Sequence, residues 1–258
     1  MNISILGQFV DVDGVKIHYE KVGTGPRVLL LLPGGIGTSR TDFSIQLSND
    51  KGLDKNLFTM IAWDPPGYGF SRPPQRLYDS DVYKRDAHMA AKLMSQLGYN
   101  YYSVLGWSDG AKTGLLMAIN YASSIDKLVI WGGNAYVVSQ EKRVINAIRD
   151  IRIWNPQTRY FYEAVYGNEL PVLWNKHCDH YINNLDDICR NQVHNIMSPT
   201  FVLHGDLDPL PLEHPLFLCK TIADSRLYRF KSGSHNIHQE FSEEFNKMVT
   251  NFLLEDNY

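Results

Sequence analysis

Cysteine is scarce in this chain: three residues among 258, Cys178, Cys189 and Cys219, with no CxxC spacing. An odd count without ligand spacing excludes a disulfide frame and a zinc knuckle, and fits buried or idle thiols in a reducing compartment. Long apolar runs are missing too. The longest unbroken aliphatic stretch, Val28 to Leu32, is far too short to span a bilayer. Excess charge of either sign is absent: 25 Lys and Arg against 28 Asp and Glu leave a net −3, with no dense basic block. Nothing therefore favours a nucleic-acid partner. Met1 to Val10 has neither the cationic start and apolar segment of a secretory signal nor the Arg-rich, acid-poor character of a mitochondrial transit peptide, so a cytoplasmic location is expected. No repeat, phosphate-binding loop or dinucleotide fingerprint appears, and no cofactor or metal is expected. What remains is ordinary globular material, 44% hydrophobic and 21% charged, enough for one large α/β domain or two small ones.

The pattern along the chain alternates. Val10 to Tyr19 reads as a hairpin turning at Asp13-Gly14. Arg27 to Leu32 and Phe58 to Trp63 are short apolar runs of the kind that form strands covered on both faces. The first ends in Pro33-Gly34-Gly35-Ile36-Gly37, the second in Asp64-Pro65-Pro66-Gly67-Tyr68-Gly69. A helix is expected from a cap at Asp79 or Ser80 to Leu97, stopping at Gly98. Further strands are expected at Tyr101 to Leu105, Ile125 to Trp131, Thr200 to His204 and Arg226 to Phe230, with a helix after Pro211 and a last amphipathic one over Glu240 to Leu254. Such alternation predicts a mostly parallel, doubly wound sheet. Asn134 to Asn195 interrupts it with helical stretches at Ser139 to Ile153, Pro156 to Tyr166 and Leu170 to Asn183. This aromatic-rich insertion cannot lie in the sheet. It is expected as a cap, 134–195, over the strands' carboxyl edge, where such sheets bind ligands, with residues 1–133 and 196–258 forming the core.

Gly106-Trp107-Ser108-Asp109-Gly110 is the most informative segment. It matches G-x-S-x-G and joins an apolar run to a helix-like run, Ala111 to Tyr121, the context of a nucleophile elbow. A serine at such a turn needs a base, an orienting acid and an oxyanion hole. His204-Gly205-Asp206-Leu207-Asp208 and Gly233-Ser234-His235 follow successive strands in the required order of acid, then histidine. The Gly-x-x-Asp pattern selects Asp208 over Asp206 as acid, and His235 is the base. His238 is expected at the start of the final helix. His177 and His180 form an H-x-x-H without an evident third ligand, expected as a solvated helix face. The oxyanion donors are expected to be the backbone N–H groups of Asp109 and Gly35. Asp109 itself has two readings: an acid complementing the helix dipole, or a recognition site for a protonated α-amino group on the substrate's acyl part.

Over essentially its full length the chain resembles the α/β-hydrolase superfamily, and within it the biphenyl hydrolase-like (valacyclovir hydrolase) group. The resemblance rests on Leu31-Leu32-Pro33-Gly34, Thr41-Asp42-Phe43, Ala62-Trp63-Asp64-Pro65, Gly67-Tyr68-Gly69, Ser71-Arg72-Pro73-Pro74, the elbow, Val129-Ile130-Trp131-Gly132, Asn134-Ala135-Tyr136, Ile148-Arg149-Asp150, His204-Gly205 and His235-Asn236. It implies an α/β-hydrolase fold, a triad on Ser108, Asp208 and His235, and amine recognition by Asp109. The implied reaction is hydrolysis of small α-amino-acid esters through an acyl-enzyme, by a monomer with no nucleic-acid or membrane partner; the resemblance also leaves a mitochondrial location open beside the cytoplasmic one. Gly133 and Ala111 depart from the group's pattern, which bears on leaving-group preference. A generic carboxylesterase or a C–C bond hydrolase on the same triad stands as an alternative, as does a non-catalytic binding protein of this fold. Ser108 excludes the relatives that use aspartate as nucleophile.

Overall fold

The computed structural model describes residues 7–255. The opening residues, on which part of the expectation about targeting rests, lie outside the described residues, as does the C-terminal tip. A hairpin leads: β1 (Gln8–Val12) and β2 (Val15–Val22) are joined by Asp13 and Gly14, both at positive φ. Val12 faces Val15 in the antiparallel register, the two-residue loop expected of Asp-Gly. Then come β3 (Arg27–Leu32), α1 (Ser39–Phe43), β4 (Phe58–Trp63), α2 (Val82–Gln96), β5 (Tyr102–Trp107), α3 (Asp109–Asn120) and β6 (Ile125–Trp131). After three helices, α4 (Ser139–Ala147), α5 (Pro156–Tyr166) and α6 (Leu170–Asn184), the alternation resumes with β7 (Thr200–Gly205), α7 (Glu213–Thr221) and β8 (Ser225–Phe230). Two helices, α8 (Ile237–Glu240) and α9 (Ser242–Leu254), close the described chain.

The strands form one sheet in the order β1-β2-β4-β3-β5-β6-β7-β8. Pairing is parallel from β4 to β8 and antiparallel only at the hairpin edge. β3 shows why continuous apolar runs suit this position. Leu30 and Leu32 pack on one face with Leu93 of α2 and Leu115 of α3, while Leu29 and Leu31 pack on the other with Phe43 and with Phe245 of α9. A polar side chain on either face of such a strand would lie in a core; truncating one of these leucines to alanine would cost about 2–5 kcal/mol.

The helical segment between β6 and β7 sits on loops at the strands' carboxyl ends: Tyr162, Tyr166, Leu170 and Trp174 pack with Ile36 and Tyr68. Its entry and exit are tied by a single bridge between Tyr136 and Asp187. The first helix is shorter than its sequence pattern suggests. The carbonyl of Ile148 accepts both the Trp154 and Trp174 indole N–H groups at 3.0 Å, competing for the oxygen that would carry a helix past α4. The last helix also begins later than expected, because Ile237 to Glu240 forms a turn of its own. Among the described residues no helix is long and apolar enough to cross a membrane.

Candidate active site

Ser108 follows β5 directly and opens α3 at φ 56°, ψ −115°, a backbone conformation costing about 1–3 kcal/mol in a non-glycine residue. The turn is fixed from both sides. Its N–H donates to the Trp131 carbonyl at 3.0 Å, and its own carbonyl accepts from Ala111 N–H at 3.0 Å. Both motif glycines are required by close approach. A Cβ at Gly106 would lie 2.4 Å from the Gly110 carbonyl oxygen, and one at Gly110 would lie 2.0 Å from that of Leu32.

The other two expected triad residues come from the ends of β7 and β8. Nδ1 of His235 lies 3.0 Å from each carboxylate oxygen of Asp208. A proton held at Nδ1 leaves Nε2 as the acceptor, the tautomer a general base requires. Burial lowers the His235 value, but the Asp208 carboxylate more than reverses this and holds it above the ordinary 6.5. Asp208 is itself buried, and His235 and the Leu210 N–H hold it below the usual carboxylate range against that burial. Trp107, between the motif glycine and Ser108, donates its indole N–H to the His235 carbonyl at 2.9 Å with the two rings 5.3 Å apart. Asp206 is spent elsewhere, on Arg229 at 2.8 Å. His238 is structural. It accepts from Trp131 Nε1 and donates Nε2–H to the Asp42 carbonyl, and burial pushes it down to about 3.

Ser108 and His235 line a cavity of about 230 Å³ together with Gly35, Asp109 and apolar side chains of the helical segment, among them Ile145, Trp154 and Trp174. The Gly34 N–H is committed to Asp42 Oδ2 at 2.8 Å, so Gly35, next along, presents the loop to the cavity. Two tyrosines of α5 hold this loop. Tyr162 donates to Asp42 at 3.0 Å, and Tyr166 donates to the Ile36 carbonyl at 2.6 Å. Asp42 is buried among neutral donors, and burial pushes its carboxyl up to about 6.

Two residues of this cavity escape sequence reasoning. The H-x-x-H face is not solvated: His177 and His180 are both buried, and His177 lines the cavity, stacked on Trp174. The helical segment folds that face inward, and burial pushes His177 down to about 4, so it is neutral at physiological pH. Among the described residues no set of side chains is arranged to hold a metal ion. The second is Lys112, buried with its Nζ 2.7 Å from Asp109 Oδ1. A carboxylate beside the expected oxyanion donors would oppose charge developing there unless something positive offsets it. Here a resident ammonium does so, one helical turn along. Burial alone would raise the Asp109 carboxyl, but Lys112, helped by His177 and the Tyr83 hydroxyl, holds it far below the usual range. Its other oxygen, Oδ2, faces His177 Nδ1 at 3.6 Å and the Gly35 backbone, where a Cβ would stand 3.3 Å away.

The α/β hydrolase fold family matches residues 27–150. The chain is 42% identical over 253 residues to serine hydrolase BPHL of Mus musculus, covering 95% of this chain and 85% of that one. It is 41% identical over 259 residues to serine hydrolase BPHL of Homo sapiens, covering 97% and 87%. A meta-cleavage product hydrolase from Pseudomonas fluorescens shares the fold, with a TM-score of 0.78 at 21% identity over 98% of this chain and 99% of that one.

Proposed function

This chain belongs to the α/β-hydrolase family and is a serine hydrolase, and from that premise we propose that it cleaves carboxylic esters through an acyl-enzyme on Ser108. The observation that carries this is the Asp208–His235 pair, which fixes the base in its accepting tautomer on the wall that also bears Ser108. His235 Nε2 takes the Ser108 proton as Oγ attacks the ester carbonyl. The oxyanion is met by the N–H groups of Gly35 and Asp109. The proton passes to the alkoxide as the C–O bond breaks, and water then repeats the sequence on the acyl-serine. The reaction as drawn calls on no cofactor.

Residues 134–195 act as a cap whose apolar side chains receive the acyl part. The finer reading is that this part carries an α-ammonium group, accepted by Asp109 Oδ2. The ionised state of Asp109 and its place on the cavity wall beside Ser108 support it. The triad and cavity lie within one chain, in keeping with a monomer, and three free cysteines suit a reducing compartment such as the cytosol. Labelling with a fluorophosphonate and mapping the adduct tests the nucleophile: modification at any residue but Ser108 refutes it. A panel of p-nitrophenyl esters with and without the α-amino group tests the acyl preference. Equal rates across Asp109→Asn and wild type on every ester would leave a generic carboxylesterase.

A further inference from the structure

Lys112 stands where an apolar helix face is expected. Its neighbours on α3, Ala111, Leu115 and Leu116, are core residues, yet Lys112 is buried and lines the cavity with Ser108, Asp109 and His235. A buried ammonium persists only with partners. Lys112 has Asp109 Oδ1 at 2.7 Å and the Tyr83 hydroxyl at 3.4 Å, and it lies 4.5 Å over the Tyr181 ring and 5.0 Å over the Tyr83 ring. The other charged groups nearby are paired or neutral at physiological pH: Arg76 and Asp86 form a buried ion pair of their own. His177 is neutral, and Glu141, the other carboxylate on the cavity wall, is bonded to Asn134 and stands 3.1 Å from His214. Lys112 and Asp109 share the cavity wall with Ser108 and His235, so both charges act on a substrate held there.

We propose that Lys112 determines acyl specificity: as the resident counter-ion of Asp109 it makes the acyl subsite electrically neutral, so esters with an uncharged acyl part are accepted alongside aminoacyl esters. This rests on the reading that Asp109 faces the acyl part of the substrate. An α-ammonium docked on Oδ2 gains the attraction of Asp109 and meets the repulsion of Lys112 only slightly farther away. The two nearly cancel. Without the lysine charge, an ionised Asp109 would penalise the oxyanion of a neutral ester and reward an aminoacyl one, whose ammonium takes over as the counter-ion.

The test is the ratio of kcat/KM for phenylalanine p-nitrophenyl ester to that for p-nitrophenyl 3-phenylpropanoate, which lacks only the amine. In wild type the ratio should lie within about tenfold of unity. Two like charges roughly 5–6 Å apart at an effective dielectric of about 20 correspond to on the order of a hundredfold in rate. Water reaching the cavity reduces this, so Lys112→Met should raise the ratio by about thirtyfold. Lys112→Arg should keep the wild-type ratio, and the double variant Asp109→Asn with Lys112→Met, which buries neither charge, should return close to it. If Lys112→Met leaves the ratio within twofold while Asp109→Asn lowers it, the role of Lys112 is refuted and amine recognition by Asp109 stands. If neither substitution moves the ratio, the reading of Asp109 falls and takes this inference with it. Should Lys112→Met not fold, wild type alone decides: a thousandfold preference for the aminoacyl ester overturns a neutral subsite.

Discussion

Asp42→Asn separates a titration from a packing effect at the loop beside Ser108. The carboxylate accepts from the Gly34 N–H and from the Thr41 and Tyr162 hydroxyls, all neutral donors. Burial therefore lifts it to about 6 from an ordinary 3.8. The folded value lies above the unfolded one, so the folded state holds the proton more tightly. The stability that Asp42 contributes is complete below the unfolded value and is lost as pH rises through the folded one. At about 1.4 kcal/mol per pKa unit, the loss above that window is about 3 kcal/mol. Asparagine does not titrate. The stability of the variant relative to wild type should therefore climb by about 3 kcal/mol from pH 4 to pH 7.5, or about 6–12 °C in Tm for a chain of this size. Losing one acceptor oxygen shifts the whole curve by about 1–3 kcal/mol without changing its slope. Thermal melts of both proteins across that range measure the difference directly, because every other titrating group cancels. Parallel Tm curves would refute the reasoning. With Gly34 less firmly held, kcat should fall by about ten- to a hundredfold.

Removing Ser108 or His235 should cost on the order of 10⁶-fold in kcat and Asp208→Asn on the order of 10⁴-fold, with non-additive double variants. Asp206→Asn, which breaks only the pair with Arg229, should leave activity within about threefold; the reverse ranking of the two aspartates would reassign the acid. Gly110→Ala should destabilise by about 2–4 kcal/mol in a denaturant titration, since its Cβ cannot coexist with the Leu32 carbonyl; an unchanged midpoint would show that the elbow yields. The pH profile of kcat/KM should rise through a midpoint above 6.5 as His235 loses its proton, and Asp208→Asn should move that midpoint down. With Lys112→Met and an aminoacyl ester, the rate should decline again above about pH 8 as the α-ammonium is lost, whereas wild type should stay level there.

Most of the architecture is legible in the sequence because each central strand has to be apolar on both faces, which leaves runs such as Leu29 to Leu32 with only one reading. The elbow is legible for a similar reason: Gly106 and Gly110 are dictated by contacts under 2.5 Å. The proposed triad rests on residue types at successive strand ends. What the sequence conceals is tertiary. The end of α4 depends on two indoles from elsewhere in the segment meeting one carbonyl. The orientation of the His177–His180 face depends on how α6 docks, and its polar periodicity alone reads as solvated. Lys112 did leave a signal, a single cation three residues after Asp109 on an otherwise apolar helix, where burial demands a partner.

Trp107 has a mechanical consequence. Ser108 and His235, the proposed nucleophile and base, stand on loops separated by more than a hundred residues, and two loops would ordinarily add their positional errors. A single indole spans the gap: its backbone is the residue before Ser108, and its N–H is fastened to the His235 carbonyl. The ring has no internal torsions, so it acts as a gauge block that sets the separation of the two loops once, at folding. A shorter side chain at this position would keep every reacting group in the chain but leave their spacing unset.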